Sequence, residues 1–342
     1  MTLNVSNATR RRFLRFALGA TVAAPLAASA GCSALNGSSG SSDSSSGSNS
    51  GGLEKTKLTV GILTGQQGVS EKLAEKYGYF KQQGLEVTAK MFASGPAAYP
   101  ALLNGELDFA VTNYVSFYQA IAQKTLQAKV VVDVDQLGEN SLVVIAKPET
   151  GIKEPKDLIG KKVSIHQSGS IAEVLLRATL KDHDVDPNQV KFQTVKFPDI
   201  PAALASGQID AGVELEPYIT QAERQHGVQP VLKIVTGSTA NITSAGFVAL
   251  DSFIQKNPKT VAAFQKAMVP AQTAAADRSK LLEVLPDLTG VDKDTASLLN
   301  IDTFPTSVSA SQLQRVVTLM QNYGGLTAQL DASTLMVPTP QV

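Results

Sequence analysis

The chain has 342 residues, of which 43% are hydrophobic and 18% charged, with 30 basic and 30 acidic side chains and a formal net charge of zero. That length allows one large or two ordinary domains, and the composition is that of a globular protein. The first 31 residues hold four arginines and no acid, so without them 26 basic residues face 30 acidic ones. Neither form carries the basic stripe that nucleic-acid binding needs.

The amino terminus has the composition of a targeting segment and is set apart from the fold. Thr9-Arg10-Arg11-Arg12-Phe13-Leu14-Arg15 matches a twin-arginine export pattern, and Phe16 to Ala30 is an apolar run too short to span a bilayer comfortably. Ala28-Ser29-Ala30 fits an A-x-A cleavage site, while Ser29-Ala30-Gly31-Cys32 reads as a lipobox with Ser29 where Leu is usual. Cys32 is the only cysteine, so it has no internal disulfide partner. Gly37 to Gly52 is almost wholly Gly and Ser, a flexible tether. The expected organisation is a signal peptide over 1–31, a lipidated Cys32 with its tether over 32–52, and a folded part from 53.

In the folded part Lys57 to Leu63 reads as an inner strand, because its alternation gives way to a continuous apolar run. Thr64 to Gly68 is a glycine-rich loop, Ser70 is placed to cap a helix reaching Tyr77, and Leu85 to Phe92 is a second strand. Ser94-Gly95-Pro96 opens a helix, with Pro suited to the first turn. A strand then ends at Thr112-Asn113-Tyr114, and Phe117 to Lys124 is a short helix. Strands follow at Lys129 to Val134 and Ser141 to Ala146. The polar Pro/Gly stretch from Lys147 to Lys162 marks a passage between two halves, near 139–160. Val163 to His166 is a strand, Gln167-Ser168-Gly169 a turn, and Ser170 to Lys181 a helix whose Ile171, Val174, Leu175 and Ala178 share one face. Further strands are expected at Lys191 to Val195, Ile209 to Leu215, Val231 to Val235 and Phe247 to Leu250. The remainder is helical, packed around the first half, with a loose end at Pro338 and Pro340.

A helix-turn-strand unit occurs twice. Ala101 to Val111 (ALLNGELDFAV) and Ala203 to Val213 (ALASGQIDAGV) share Ala-Leu, Gly105 with Gly207, Asp108 with Asp210 and Val111 with Val213; Pro96 and Pro198 also fall in register. Two similarly built α/β halves follow from that repeat. Asp108 and Asp210 read as carboxylates that lock turns, accepting backbone N–H bonds.

Over about Leu58 to Gly325 the chain resembles the solute-binding proteins of ABC importers. The nearest branch is the one for nitrate, sulfonates, taurine and thiamine-pyrimidine precursors (NMT1/THI5-like). The residues that carry this resemblance are Glu75 to Phe80 (EKYGYF), Gly84 to Val87 (GLEV), Leu103 to Ala110 (LNGELDFA), Asp157 to Val163 (DLIGKKV), Ser168-Gly169-Ser170, Ala205 to Ala211 (ASGQIDA) and Glu216-Pro217-Tyr218. The resemblance implies an α/β fold of the two-lobe periplasmic-binding-protein type II architecture. Lobe 1 would comprise 53–140 and 241–342, and lobe 2 would comprise 141–240. A small-molecule ligand would lie between them, hinges near Asn140 and Asn241 to Ala245, and the partner would be a membrane permease. The export signal and the lipidated Cys32 suit such a protein independently, and the expectation is a monomer held at the membrane on the extracytoplasmic side.

In open α/β sheets ligand sits beyond the carboxyl ends of the strands, where helix amino termini offer unpaired N–H groups. That selects the loops 64–68, 94–96, 112–114, 167–170, 197–199 and 214–218. The candidate ligand contacts are Gln66, Ser94, Thr112, Asn113, Tyr114, Ser168, Gly169, Ser170, Glu214, Glu216 and Tyr218. Ser168-Gly169-Ser170 is the first choice, as a cradle for an anionic or carbonyl oxygen, although Ser170 and Glu173 could form a capping box that uses those donors internally. Glu214 and Glu216, two apart on a strand, share one side. Beside a cleft they would disfavour a bare anion and suit a ligand with an amine or ring N–H. Relatives often place a Trp where Leu215 stands. His166 is a further possible contact. No metal-ligand cluster, cofactor motif or nucleophile elbow occurs, so the expectation is binding without chemistry. The alternatives are a pyrimidine-synthase-like enzyme of the same fold, whose cysteine and histidine clusters are missing, and a sensor domain.

Overall fold

The computed structural model describes residues 52–340, and the expected signal peptide, Cys32 and tether up to Gly51 lie outside them. Two five-stranded sheets organise the chain. The first uses β1 (Lys57–Leu63), β2 (Glu86–Phe92), β3 (Phe109–Asn113) and β4 (Ala128–Gln136), together with a late strand, β10 (Thr243–Leu250), in the order β2-β1-β3-β10-β4. The second uses β5 (Leu142–Ala146), β6 (Lys162–Ile165), β7 (Lys191–Thr194), β8 (Ala211–Leu215) and β9 (Gln229–Lys233), in the order β7-β6-β8-β5-β9. The two orders are the same pattern. In each sheet the fourth strand, β10 or β5, is antiparallel to both neighbours and is the strand by which the chain enters after crossing from the other sheet. All the parallel strands of a sheet therefore end on one side, which gathers their following loops on that edge.

The helices are α1 (Val69–Lys76), α2 (Tyr79–Gln82), α3 (Gly95–Leu103), α4 (Tyr114–Ala122), α5 (Ile171–Asp182), α6 (Ile200–Ala205), α7 (Tyr218–His226), α8 (Asp251–Lys256), α9 (Pro258–Ala275), α10 (Arg278–Leu281), α11 (Leu285–Thr289), α12 (Lys293–Ala296) and α13 (Ala310–Tyr323). Ser70 does not cap α1. The helix begins at Val69 with Gly68 as its cap, two residues before Ser70, and the Ser70 hydroxyl is buried against Gln272 of α9. One face of the first sheet packs on α1 and α9, with Phe109 and Phe264 stacked at 4.2 Å and 8°. Burial of each such ring contributes about 1.5–3 kcal/mol.

The repeated unit is the same object in both sheets. Asp108 donates its N–H to Thr59 O and accepts Thr59 N–H at 3.0 Å, so its carboxylate and backbone bracket one residue of β1. Asp210 does the same to Lys162 at the start of β6, accepting its N–H at 2.7 Å. Gly105 and Gly207 both turn the chain at positive φ, 75° and 73°.

Three expectations change. The polar stretch 147–161 is a connection between β5 and β6 within the second sheet; the passage between sheets is shorter, at 137–141, ahead of β5. The terminal helices do not all belong to the first lobe: α13 packs on α4 of the first lobe and on α5 of the second, and the core that runs along it joins residues of both. Gly324, just past α13, sits so close to α5 that a Cβ there would lie 2.8 Å from Val174 Cγ2. The end of the chain is not loose. Met336 bridges to Val130 of β4, and Gln265 of α9 donates to Val131 O, Val337 O and Pro338 O. Among the described residues no helix is long and apolar enough to cross a membrane.

Candidate functional site

The loop after β1 in the first sheet and the loop after β8 in the second meet at Asn300. This residue lies between α12 and a bridge that ties Thr303 to Gln136 at the end of β4. From the first lobe, Gln66 holds the segment with both halves of its amide, donating to Asn300 O at 3.0 Å and accepting Asp302 N–H at 2.9 Å. From the second lobe, Glu216 accepts from Asn300 N at 3.0 Å and Nδ2 at 2.7 Å. The same carboxylate also accepts Thr220 N–H at 3.2 Å and the Thr220 hydroxyl at 3.0 Å. It thus sits at the amino terminus of α7, where unpaired N–H groups favour negative charge. Glu216 is satisfied on both oxygens and buried.

Glu214 is not. It is fully buried, its Oε1 accepts only its neighbour's Leu215 N–H at 3.0 Å, and Oε2 has no partner. Burial, with the nearby Glu216 charge adding to it, pushes the Glu214 carboxyl well above the usual carboxylate range. A row of rings lies at the ends of the neighbouring strands, and its last member, Tyr218, feels the Glu214 carboxyl. His166, one residue beyond β6, stacks on Phe197 at 4.3 Å and 25°. Phe197, which follows β7, faces Tyr218 at the start of α7 with centroids 6.5 Å apart and planes inclined by 15°. Burial pulls the His166 ring down to about 4, so it is neutral at pH 7, and its Nδ1 is buried without a partner.

The first lobe answers with more acids. Asp133 accepts Tyr114 O–H at 3.1 Å and the Thr243 hydroxyl. Asp135 accepts from Ser244 Oγ at 2.6 Å and Gln67 Nε2 at 2.9 Å, and Asp302 accepts Gly138 N–H at 3.1 Å. Burial is the main cause that raises all three, Asp133 to about 7 and Asp302 to about 6. These acids support the crossing at 137–141. Among the described residues no group of three or more His, Cys, Asp or Glu is arranged to hold a metal.

Several candidates are committed to structure. Thr112 is buried beneath the first turn of α3, hydrogen-bonded to Tyr99 Oη at 2.8 Å, and its side chain fills the space where Gly95 has no Cβ. Tyr114 turns into the lobe core instead of the cleft, because its hydroxyl finds Asp133 there. Asn113 caps α4, accepting Ser116 N–H at 2.8 Å, and the exposed Ser94 caps α3 through Ala97 N–H at 3.4 Å. The Ser168-Gly169-Ser170 turn is closed on itself. Glu173 Oε2 accepts Gly169 N–H at 2.7 Å, so a carboxylate of the protein occupies the place pictured for an anionic ligand. Glu173 in turn is held by Arg177 at 2.7 Å. The capping box is incomplete, since Ser170 Oγ bonds nothing and is buried. Gly169 O accepts from Gln119 Nε2 at 3.0 Å, a further contact between lobes, and Arg224 of α7 donates to Thr295 of α12 at 2.8 Å.

Sequence reasoning chose the loop 197–199 but passed over Phe197. Its place one residue before Pro198, equivalent to Gly95 before Pro96, was the available signal. Nothing local marks Asn300, 84 residues beyond Glu216.

Comparison with known proteins matches an NMT1/THI5-like family model over residues 71–280. The chain belongs to the NMT1/THI5-like family. The relatives it resembles include a binding protein and a synthase. The chain is 29% identical over 195 residues to the taurine-binding periplasmic protein of Escherichia coli, covering 57% of this chain and 59% of that one. It is 26% identical over 215 residues to the 4-amino-5-hydroxymethyl-2-methylpyrimidine phosphate synthase THI13 of Saccharomyces cerevisiae, 58% of this chain and 60% of that one. The chain thus spans under two thirds of the length of either relative. Its fold is that of the periplasmic aliphatic sulphonate binding protein SsuA from Escherichia coli, with a TM-score of 0.69 and 20% identity over 82% of this chain and 97% of that one.

Proposed function

We propose that the chain is an extracytoplasmic solute-binding lipoprotein of an ABC importer. It captures a small sulfonate, taurine-like, pyrimidine-like or related nitrogen compound between lobes 53–140 with 241–342 and 141–240, and delivers it to a membrane permease without chemical change. The observation that carries this reading is Asn300, gripped by Gln66 from one lobe and Glu216 from the other. A contact of that kind is made only when strand-end loops of two lobes converge, and it must break when they part. Ligand that touches both lobes then biases the pair toward closure. Among the predicted contacts, Tyr218 is half-buried at the start of α7 and is left available to ligand, while Cys32, lipidated after twin-arginine export, tethers a monomer to the membrane. The relatives' names and the family support this assignment. X-ray scattering of the mature chain with and without a ligand found by thermal-shift screening is the test. Compaction on binding is expected, and an unchanged radius of gyration with a tightly bound ligand would remove the mechanism.

The synthase relative favours a second reading, an enzyme of the same fold. The chain's single cysteine and three scattered histidines weigh against it. Formation of a pyrimidine product by purified mature protein would favour this reading over the first.

A further inference from the structure

We propose that Asp135 and Asp302 share one proton where the two crossings between lobes meet, and that its loss loosens the closed pair, so that closure is latched by pH. The geometry comes from a short antiparallel bridge. Gln136 at the end of β4 pairs with Thr303, and each donates its N–H to the other's carbonyl, at 2.8 and 2.9 Å. Asp135 and Asp302 flank that bridge diagonally, so both stand on the same side of it. Their carboxyl groups are hydrogen-bonded to each other, and both are buried. Two ionised carboxylates have no hydrogen to donate, so the bond exists only while one of the pair is protonated.

The pair is tied to each part that moves when the lobes separate. Gly138, in the first crossing, donates its N–H to Asp302 Oδ1 at 3.1 Å. Ser244, in the second, donates to Asp135 Oδ1 at 2.6 Å. The crossings also join directly, since Leu137 N–H donates to Ile242 O at 3.0 Å. The loop after β1 holds both acids, through Gln67 on Asp135 Oδ2 at 2.9 Å and Gln66 on Asp302 N–H at 2.9 Å. Two residues before Asp302 comes Asn300, the residue that Glu216 grips from the second lobe. Repulsion within the pair therefore acts on the segment that carries the contact between lobes.

No counter-charge relieves it. The titratable groups facing the pair are Asp133 on β4 and Glu216 after β8, with Tyr114 and Tyr118 of α4 turned to Asp133 and Glu214 beyond Glu216. Among the described residues none of these five acids is paired with a Lys, Arg or His. Two like charges on adjacent buried carboxyls cannot both be held cheaply. Burial first, and then the Asp302 charge, keep Asp135 well above the usual carboxylate range, and burial raises Asp302 to about 6. The closed form thus binds the proton more tightly than an open form with hydrated carboxyls. Closure is favoured at low pH and is lost as pH rises beyond about 6.

X-ray scattering of the ligand-free mature chain between about pH 5 and about pH 8 tests the latch. The wild-type radius of gyration should rise with pH. Asp302→Asn makes the hydrogen permanent, because its amide oxygen can still accept Gly138 N–H while its amide N–H donates to Asp135, and the rise should disappear. Asp135→Asn, with the hydrogen reversed, should behave alike and serves if the first variant unfolds. Equal pH dependence in wild type and variants would overturn the latch, and so would a wild-type radius that does not change. Carboxyl carbon shifts from an aspartate-labelled wild-type chain need no substitution, and both acids ionised at about pH 5 would overturn the shared proton itself. No ligand enters these measurements, so their failure leaves the solute-binding reading to its own test.

Discussion

Glu216 accepts both hydrogen bonds that Asn300 offers, from Nδ2 at 2.7 Å and from the backbone N–H at 3.0 Å, and in doing so joins one lobe to the other. Two residues earlier on the same strand end, Glu214 receives one N–H from its own neighbour and nothing else. The first acid fastens the lobes and the second keeps one buried oxygen without a partner.

Asn300→Ala removes one of these two donors and leaves the carboxylate with its remaining partners. A loss of about 1.5–3 kcal/mol is expected in urea unfolding, the range for hydrogen bonds to charged groups. Glu216→Gln should cost more, since the carboxamide turns an N–H group toward donors on Thr220 and Asn300. If the pair fastens the lobes, scattering of ligand-free Asn300→Ala should also show a larger radius of gyration than wild type.

Two glycines in the first lobe serve different ends, and alanine separates them. At Gly95 a Cβ would overlap the Thr112 side chain and come within 2.7 Å of Thr112 Cα, so Gly95→Ala should cost about 1–3 kcal/mol or more and displace the start of α3. At Gly105 nothing lies within 4 Å, but φ is 75°, so Gly105→Ala should cost only about 1 kcal/mol, from backbone strain alone. Equal losses at the two sites would contradict the close approach of α3 to β3.

Asp133 gives stability a pH dependence with a definite sign. Burial raises its carboxyl from 3.8 to about 7, against the opposing bonds from Thr243 and Tyr114. A group raised on folding contributes stability that is fully present below pH 3.8 and is lost as pH rises through about 7. Each unit between those limits costs up to about 1.36 kcal/mol. Asp133→Asn keeps Oδ1 for Tyr114 and Thr243, so its unfolding midpoint should fall less steeply than that of wild type between pH 4 and 7. The slope should not vanish, because Asp135, Asp302 and Glu214 are raised for the same reason. Parallel curves for the two proteins would show that Asp133 is ionised in the folded state.

Cys32→Ser tests the proposed anchor. The variant should move from the membrane fraction to the soluble extracytoplasmic fraction, with the thermal unfolding of the mature fold unchanged. Retention in the membrane fraction would count against lipidation at this residue.

The amino-acid order alone determined the alternation of strands and helices, the repeat and the roles of Asp108 and Asp210. Each depends on contacts within a few residues or on one strand's neighbour, so the local signal and the final geometry coincide. It also placed the strand-end loops, because the carboxyl ends of parallel strands must share an edge. Tertiary structure alone decided which side chains in those loops are free. Thr112 and Tyr114, themselves expected as ligand contacts, turn inward, because Tyr99 and Asp133 wait there with complementary polar atoms. Glu214 and Glu216 look alike in sequence, and only the arrival of Asn300 from 84 residues away satisfies one and leaves the other open. Buried polar groups take whichever partner the fold delivers, and that delivery is a property of three-dimensional packing, which no stretch of chain carries by itself.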